Sequence, residues 1–437
     1  MSNNSNVVRV AVIGAGCSGI TAIKNLLQVG ISNIVCFEQN DQIGGNWIYS
    51  PKISHSSVCE TTHIISSKTM SEYLDFPMPD HYPDYPSHSE LLEYFRSYVQ
   101  HFNLEPFIKF NTRVEKVEKT EDDKWRVYLD SIPAEQFDFL LVANGHHSVP
   151  RMPVLPGTFD GELLHSHAYK TNQAFKDKRV LVIGMGNSGC DCAVEISRVA
   201  KHVSISQRNP QYIVPKFMMG KPTDVFNKVT EWLPGPILNI VQKIGLKMQI
   251  GSYEDYNLLS PNHSVVSSHP TINSELLYKI RHGKVHPRKS IESVKGYEVR
   301  FKDGQIASYD VIIAATGYKI ATPFFDKDFL DYEDADRVPL YLRMFHPDHP
   351  SLIFIGLFQP QGAIWPGSDA QAKLASNYIV GNWSWPTNIN ALAEADADEI
   401  DRSFIKAKRH TIEVHFKPFM QKLLKQIPSN APDWPKD

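Results

Sequence analysis

Two stretches of the chain repeat one pattern of apolar and polar positions. In each stretch a short apolar run leads into a glycine-rich turn, and apolar residues at helical spacing follow. The runs are residues 10–13 before GAGCSG and residues 180–183 before GMGNSG. A run of this length predicts a buried strand, and the later spacing predicts a helix with one apolar face. The repeat therefore predicts an α/β fold.

The two turns share the spacing GxGxxG. We expect its first glycine to allow a tight turn, its second to let a pyrophosphate approach the backbone, and its third to let the helix pack on the strand. These positions are Gly14, Gly16 and Gly19 in the first turn and Gly184, Gly186 and Gly189 in the second. Each helix would then point its N-terminus at phosphate groups. The sequence thus predicts two Rossmann-like dinucleotide-binding domains.

The side chains that follow the two turns differ. The strand NIVCFE ends in Glu38, whose carboxylate can accept both hydroxyls of an adenosine ribose. The strand HVSISQR carries no acid and offers Ser206 and Arg208 instead. A guanidinium can pair with a 2′-phosphate through two hydrogen bonds. We therefore expect FAD at the first site and NADPH or NADP⁺ at the second, and a solvated surface cation is the alternative interpretation of Arg208.

The order of the elements predicts that the smaller NADPH domain is inserted into the FAD domain. We expect the first part of the FAD domain over residues 1–160 and the NADPH domain over residues 161–290. The second part of the FAD domain would cover residues 291–437 and end in a C-terminal helix, interrupted near Pro418.

Three further segments locate elements within this plan. The pair Ser87 and Glu90 forms an S-x-x-E capping box ahead of an apolar pattern at helical spacing, which predicts a helix. The run FDFLLVANG at 137–145 predicts a buried strand that ends where the sheet meets its ligand. Because DVIIAATGY at 310–318 resembles that run, we expect it to complete the FAD sheet after the insertion.

Composition excludes several classes of function. The 437 residues carry a formal net charge of −3, which disfavours a nucleic-acid partner. The N-terminus shows no targeting pattern and no apolar run is long enough to span a bilayer, so we expect a cytoplasmic protein with no membrane partner. The five cysteines lack a CxxC pair and the 18 histidines form no metal-binding pattern. We expect neither a disulfide framework nor a metal site.

The string TFDGELLHSHAYK lies between the two turns and fits the pattern FxGxxxHxxxY. The matching residues are Phe159, Gly161, His165 and Tyr169. With a GxGxxG turn on either side, this string resembles the identifying motif of the flavin-containing monooxygenases, the class B flavoproteins. Further segments similar to that family are GGNW at 44–47, ATG at 315–317 and LFQPQGA at 357–363. Tyr169 followed by Lys170 resembles the branch that oxygenates nitrogen or sulfur.

This resemblance implies which residues contact the cofactors. Near FAD they are Gly14, Gly16, Cys17, Ser18, Gly19, Glu38, Gly45, Asn46, Trp47, Ala143, Asn144 and Gly145. Near NADPH they are Gly184, Gly186, Asn187, Ser188, Gly189, Ser206 and Arg208. Thr316 and Gly317 in the ATG segment and Gln359 in the flavin-side loop complete the set.

The resemblance also implies the reaction. NADPH would reduce the flavin, and dioxygen would add to form a C4a-(hydro)peroxyflavin that oxygenates a thioether or an amine. The partners are then a small-molecule substrate and O₂, with a homodimer as one oligomeric state that the sequence allows.

One position departs from the family pattern. Many members carry an active-site Asn shortly before a Lys and an acidic residue, and alignment on Lys68 places Ile65 there. An isoleucine side chain can donate no hydrogen bond. We expect His63, Ser66 or Ser67 to act in its place. His165 and Tyr169 also belong to the candidate catalytic set, where shaping the linker between the domains is favoured over direct proton transfer.

Other functions stay open at this point. A Baeyer–Villiger monooxygenase would act on ketones, and an uncoupled NADPH oxidase would release hydrogen peroxide, an outcome that the missing Asn favours. A non-catalytic nucleotide sensor would keep both glycine turns. A pyridine-nucleotide disulfide reductase is disfavoured by the missing CxxC pair.

Overall fold

The computed structural model describes residues 8–130, 132–230 and 232–432. They form a mixed α/β fold that divides into two compact units. The first unit contains the chain up to Ile48, Ser66–Val149 and the chain from Lys319 onward, and the second contains Tyr49–Ile65 and Pro150–Tyr318. The second unit is thus longer at both ends than the NADPH domain expected over residues 161–290. It also contains Tyr49–Ile65, which was expected in the first part of the FAD domain.

Ten α-helices lie in the described ranges. They are α1 (Cys17–Gln28), α2 (Lys68–Ser71), α3 (His88–His101), α4 (Asn187–Ile196), α5 (Thr223–Asn227), α6 (Gly235–Ile250), α7 (Leu276–Arg281), α8 (Trp365–Ile379), α9 (Ile389–Ser403) and α10 (Phe416–Gln426). Across those same residues, no helix has both the length and the apolar character needed to cross a membrane.

The strands of the first half of the chain are β1 (Val10–Ile13), β2 (Ile34–Phe37), β3 (Ile108–Lys109), β4 (Val114–Lys119), β5 (Trp125–Leu129), β6 (Ile132–Phe137), β7 (Phe139–Val142), β8 (Val149–Pro150), β9 (Gly157–Phe159), β10 (Glu162–His165), β11 (Arg179–Ile183), β12 (His202–Ser206) and β13 (Ile213–Val214). Those of the second half are β14 (Phe217–Met218), β15 (Lys221–Pro222), β16 (Thr271–Ile272), β17 (His286–Arg288), β18 (Ile291–Gly296), β19 (Glu298–Phe301), β20 (Ile306–Ser308), β21 (Val311–Ala314), β22 (Tyr318–Lys319), β23 (Leu352–Phe354), β24 (Gln359–Pro360) and β25 (Glu413–Val414).

The first unit is built on a five-stranded parallel sheet in the order β3-β2-β1-β7-β23. Strand β1 lies at its centre, where Val12 is in register with Cys36 on one side and Leu141 on the other. Its four residues are buried, as a parallel strand covered on both faces requires. The glycine turn that follows β1 therefore emerges from the middle of the sheet.

The second unit repeats this arrangement with the parallel order β10-β21-β11-β12-β17. Strand β11 occupies the place of β1, and Val182 is in register with Ile205 and with Ile313. Helix α4 packs on this sheet through buried residues that include Cys190 and Cys192. Each glycine turn thus leaves the centre of its own parallel sheet.

Strand β21 is where the sequence prediction was wrong. We expected DVIIAATGY to complete the first sheet, but β21 pairs with β10 and β11 in the second. The last strand of the first sheet is β23. The two apolar runs resemble each other because β7 and β21 hold the same place beside the central strand of separate sheets. An apolar run predicts a buried strand without naming its partner.

Two helix predictions had different outcomes. The capping box at α3 is confirmed, because the Ser87 N–H donates to Glu90 Oε2 at 2.7 Å and the Glu90 N–H donates to Ser87 Oγ at 3.4 Å. The interruption near Pro418 was wrong, since α10 begins at Phe416 and places the proline in its first turn. A proline is tolerated there because the N–H it lacks would have no helical partner.

A buried ionic cluster fixes α1, the helix that follows the first glycine turn. Lys24 Nζ lies 2.6 Å from Asp75 Oδ2 and 3.0 Å from Asp369 Oδ1, and all three side chains are buried. Asn25, the next residue of α1, also donates to Asp369 Oδ1 at 2.7 Å. Asp369 belongs to α8, so the cluster joins the two helices. One cation serves two carboxylates, and burial raises the pKa of Asp75.

Candidate functional site

The first glycine turn meets the steric demands of its motif. Gly14 has φ +98°, and a Cβ added there would lie 2.7 Å from the Ala143 carbonyl oxygen. A Cβ on Gly19 would lie 1.8 Å from the Gly14 oxygen, so only glycine lets α1 approach the turn this closely. The turn therefore excludes side chains at both ends.

The second turn has the same geometry. Gly184 has φ +109°, and its Cβ would lie 2.4 Å from the Ala315 oxygen. A Cβ on Gly189 would lie 2.1 Å from the Gly184 oxygen. Ala315 directly follows β21, and Ala143 directly follows β7. In each sheet, the strand next to the central strand therefore ends at the glycine turn. The roles predicted for the outer glycines are confirmed twice.

Both helices that follow the turns begin without a side-chain cap. Their N-cap residues are Gly16 and Gly186, and neither first turn contains an acidic residue. Such an N-terminus offers unsatisfied N–H groups and the positive end of the helix dipole. A Cβ on Gly186 would meet nothing within 4 Å. Both helix N-termini offer the donors that the pyrophosphate of a dinucleotide needs, and the second turn also leaves open space beside Gly186.

Glu38 lies against the first turn. It is 4% exposed, its Oε2 accepts the Ala15 N–H at 2.7 Å, and its Oε1 accepts the Asn40 N–H at 2.9 Å. Oε1 also accepts a hydrogen bond from the Asn40 side-chain amide, so the acceptor left for a ribose hydroxyl is the second lone pair of Oε2. These bonds orient the carboxylate before any ligand binds.

The GGxW segment packs against the first turn. The Gly44 N–H donates to the Ala15 carbonyl at 3.1 Å, and the 3-10 turn Gly45–Trp47, which includes Asn46, follows at once. A Cβ on Gly16 would lie 3.6 Å from the Gly45 Cα, so two glycine backbones face each other here. The Trp47 ring meets Trp365 of α8 edge to face at 5.8 Å.

Cys17 and Ser18 open α1. Ser18 Oγ lies 3.1 Å from Ser368 Oγ of α8. Burial raises the pKa of Cys17 to about 11, so its thiol is neutral at physiological pH and unsuited to nucleophilic attack. Both residues hold the turn rather than react.

The residues that follow β7 lie beside the first glycine turn. Asn144 Nδ2 donates to the Ala321 carbonyl at 2.8 Å, and Gly145 has φ +74° with open space at its Cβ position. Gln359 Oε1 lies 3.1 Å from Nε2 of His146, a buried imidazole whose pKa burial lowers. Sequence reasoning missed His146, although it directly follows the predicted Gly145.

The end of β12 carries the residues predicted for a 2′-phosphate. Ser206 is buried and its hydroxyl donates to the Lys289 carbonyl at 2.9 Å. Arg208 is exposed, and no hydrogen bond or ion pair with the described residues engages its guanidinium. Strand β17 pairs Arg288 with Ser206, so Lys289 follows at the same edge. No local pattern marks Lys289 as part of this edge, because β17 lies far along the chain from β12.

Four further predicted residues lie in the unit of the second turn. Asn187 Oδ1 accepts the Ile272 N–H at 2.7 Å, and Ser188 is exposed beside it. Thr316 donates from Oγ1 to the Arg151 carbonyl, and Gly317 follows with φ +83°. Since Thr316 and Gly317 follow β21, they lie in the unit of the second turn rather than that of the first.

A family model described as flavin-binding monooxygenase-like matches residues 7–435. This chain belongs to that family. Rat flavin-containing monooxygenase 5 is 36% identical over 95% of this chain and 82% of its own length. Rat dimethylaniline monooxygenase (N-oxide-forming) 2 is 33% identical over 96% of this chain and 83% of its own.

Solved structures share the fold. The S-allyl-L-cysteine S-oxygenase of Allium sativum has a TM-score of 0.73 at 24% identity, with 96% of this chain and 88% of that chain covered. Cyclohexanone monooxygenase of Rhodococcus sp. Phi1 has a TM-score of 0.71 at 19% identity, with 96% and 97% covered. Membership of the flavin-binding monooxygenase-like family confirms the expected enzyme class, an NADPH-dependent monooxygenase that contains FAD.

In this flavin-binding monooxygenase, the two candidate residues of the FxGxxxHxxxY motif are buried. His165 ends β10, and its Nδ1 accepts the His167 N–H at 3.1 Å. Burial lowers the pKa of His165 to about 4, so the imidazole is neutral near pH 7. Tyr169 packs on Phe175 with ring centroids 5.6 Å apart, and burial raises its pKa. Neither residue is poised to transfer a proton at neutral pH.

The residues near Ile65 are spread over two units. His63 is exposed and its Nδ1 lies 2.9 Å from the Thr61 carbonyl oxygen. Ser66, in the first unit, has its Oγ 2.7 Å from Ser71 Oγ, and Ser67 is buried at the N-cap of α2. Within its own unit, each of these side chains lies in local contacts, and the catalytic role expected of them stays a prediction.

Proposed function

We propose that this monooxygenase binds FAD at the first glycine turn and NADPH at the second. Each turn would serve a Rossmann-like domain, with the NADPH domain inserted into the FAD domain. The observation that carries the assignment is the pair of side chains beyond equivalent strands, Glu38 after β2 and Arg208 after β12. A carboxylate suits the bare ribose of FAD, and a guanidinium suits the 2′-phosphate of NADPH.

Bound FAD and NADPH supply the reducing electrons and the activation of dioxygen. The protein holds both ligands. The N–H groups of the uncapped helices bind each pyrophosphate, and Glu38 accepts a ribose hydroxyl with the lone pair that Ala15 and Asn40 leave on Oε2. Arg208 pairs with the 2′-phosphate, and Lys289 adds a second cation at that edge.

We further propose that the substrate is a soft nucleophile, a thioether sulfur or an amine nitrogen. The names of two proteins similar to this chain, one forming an N-oxide and one oxygenating sulfur, support this substrate class. The substrate itself brings the electron pair, so the chain needs no nucleophilic side chain. His63, Ser66 and Ser67 are the proposed hydrogen-bonding groups around the reaction, in place of the family Asn that Ile65 replaces.

Product analysis tests this proposal. Purified, FAD-loaded protein is mixed with NADPH and ¹⁸O₂ in the presence of methyl phenyl sulfide, N,N-dimethylaniline or cyclohexanone. We expect one ¹⁸O atom in the sulfoxide or N-oxide for each NADPH consumed. A lactone as the main product would instead make the protein a Baeyer–Villiger enzyme.

Ile65 favours a second candidate, an NADPH oxidase. Its aliphatic side chain cannot supply the hydrogen bond that an Asn would supply at this position. Hydrogen peroxide equal to the NADPH consumed, with every substrate added, would establish this alternative. A cytoplasmic location and a homodimer complete the proposal, and cell fractionation and gel filtration would test them.

A further inference from the structure

The segment Tyr49–Ile65, here called the crossing segment, belongs to the second unit although Ile48 before it and Ser66 after it belong to the first. It leaves the GGxW turn at one end and carries His63 and Ile65 at the other. It contains no helix or strand of the two parallel sheets. Side chains elsewhere in the second unit must therefore hold it in place.

Lys170, one residue beyond the FxGxxxHxxxY motif, provides the main attachment. Its Nζ donates to the Ser56 carbonyl at 2.6 Å and to the Val58 carbonyl at 3.3 Å, and its own carbonyl accepts the Glu60 N–H at 2.9 Å. Lys170 is 5% exposed, and no carboxylate of a described residue forms an ion pair with it. A buried ammonium is thus committed to backbone carbonyls alone.

Two neighbouring groups extend this attachment. His167 Nε2 lies 2.7 Å from the Ser54 carbonyl oxygen, and because a carbonyl only accepts, the imidazole must carry its proton on Nε2. The Tyr318 hydroxyl forms side-chain hydrogen bonds with Ser57 and with Ser166. Residues 54–60 are therefore held by three side chains.

Burying a charged group without a counter-ion costs free energy. A neutral residue would fill this space at lower cost if packing were its only role. Lys170 has three donors on one nitrogen atom, so it can bind the carbonyls of both Ser56 and Val58 in a segment that belongs to neither parallel sheet.

We propose that Lys170, supported by His167, is a positioning residue for the monooxygenase reaction. It fixes the crossing segment and thereby holds His63 and Ile65 in one conformation. This inference rests on the proposed function for the roles of residues 63–67. The motif would then influence oxygenation through the lysine beyond it, without a direct chemical role for His165 or Tyr169.

Hydrogen exchange and product coupling test the inference together. Lys170→Met removes the donors at similar side-chain length, Lys170→Gln keeps an amide donor without the charge, and Lys176→Met alters an exposed lysine nearby as the control. In FAD-loaded protein we expect amides 54–60 to exchange about tenfold faster in Lys170→Met, because lost hydrogen bonds favour local opening. Amides of α4 should keep the wild-type rate.

The same variant should release a several-fold larger share of its NADPH electrons as hydrogen peroxide, with an unchanged KM for NADPH. Lys170→Gln should recover part of both effects, and it decides the question if Lys170→Met does not fold. Wild-type exchange at 54–60 in Lys170→Met, or in Lys170→Gln where Lys170→Met does not fold, would overturn the positioning role, and so would faster exchange throughout the second unit. If the wild type makes no oxygenated product, the proposed function fails, whereas the exchange result still decides whether Lys170 holds the segment.

Discussion

The two glycine turns have one backbone geometry and two different surroundings. At both turns, the first glycine faces the carbonyl oxygen of the alanine that follows a neighbouring strand. The third glycine faces the carbonyl oxygen of the first glycine. Beyond the first turn, Glu38 is buried and bonded to the turn, whereas Arg208 beyond the second is exposed. Helix α1 carries a buried ionic cluster, and α4 packs through apolar residues.

This difference separates two requirements of dinucleotide binding. Binding of the pyrophosphate requires the glycines and the uncapped helix N-terminus, so these features are expected at a site for any dinucleotide. The group beyond the next strand selects the ligand. A preorganised, buried carboxylate suits a cofactor that stays bound, and an exposed guanidinium suits one that enters and leaves with each turnover.

The largest effect should come from the cluster that only the first helix has. Lys24→Met leaves two buried carboxylates without a cation, which we expect to cost about 3–5 kcal/mol of stability and to lower FAD retention. Thermal unfolding with and without added FAD would measure both. Lys116→Met is the control, since its ion pairs are exposed and should contribute less than about 1 kcal/mol. If Lys24→Met is as stable as Lys116→Met, the ionic cluster does not stabilise α1, and the proposed difference between α1 and α4 is contradicted.

The second effect concerns selectivity at the second turn. Arg208→Ala removes charge-assisted hydrogen bonds to the 2′-phosphate, so we expect the KM for NADPH to rise about tenfold to a hundredfold. The KM for NADH should change little, because NADH lacks that phosphate. Steady-state kinetics with both nucleotides would measure the ratio. Equal increases for both would make Arg208 a surface cation without a role in selectivity.

A smaller effect concerns the response of the second unit to acid. The folded pKa of His165, about 4, lies below the usual value of about 6.5, so the unfolded chain binds the additional proton. Stability should therefore fall as the pH decreases from about 6.5 to about 4. In His165→Asn, the amide oxygen can still accept the His167 N–H, and no imidazole titrates. Between pH 7 and pH 5, we expect the free energy of unfolding to fall by about 1–2 kcal/mol less in the variant than in the wild type.

Thermal unfolding between pH 7 and pH 4.5 would measure this difference. His202, which burial also holds near a pKa of 4, remains as an internal reference for acid sensitivity in the same unit. Parallel pH profiles for His165→Asn and the wild type would contradict the assignment.

The sequence predicted those parts of the fold that depend on neighbouring residues. The glycine turns follow from the sterics of four positions, the first and third glycine of each turn, and the capping box at Ser87 follows from two side chains three residues apart. The place of β21 could not be predicted in this way. Its apolar pattern equals that of β7, and only long-range packing decides which sheet each one joins.

The candidate site shows the same limit. Glu38 and Arg208 stand out because each follows an apolar strand at an equivalent position. Lys289 and the attachment of the crossing segment by Lys170 depend on contacts between residues far apart in the chain. A lysine followed by ordinary loop residues carries no local sign that its ammonium will be buried among carbonyls.

The most direct test of the account is hydrogen exchange of the FAD-loaded wild type before and after NADP⁺ is added. We predict that NADP⁺ slows exchange in peptides covering 184–208, while peptides covering 14–38 are already protected and stay unchanged. NAD⁺ at the same concentration should give much weaker protection at 184–208. Protection by NADP⁺ at the first turn, or at neither turn, would contradict the assignment of FAD and NADPH to the two sites.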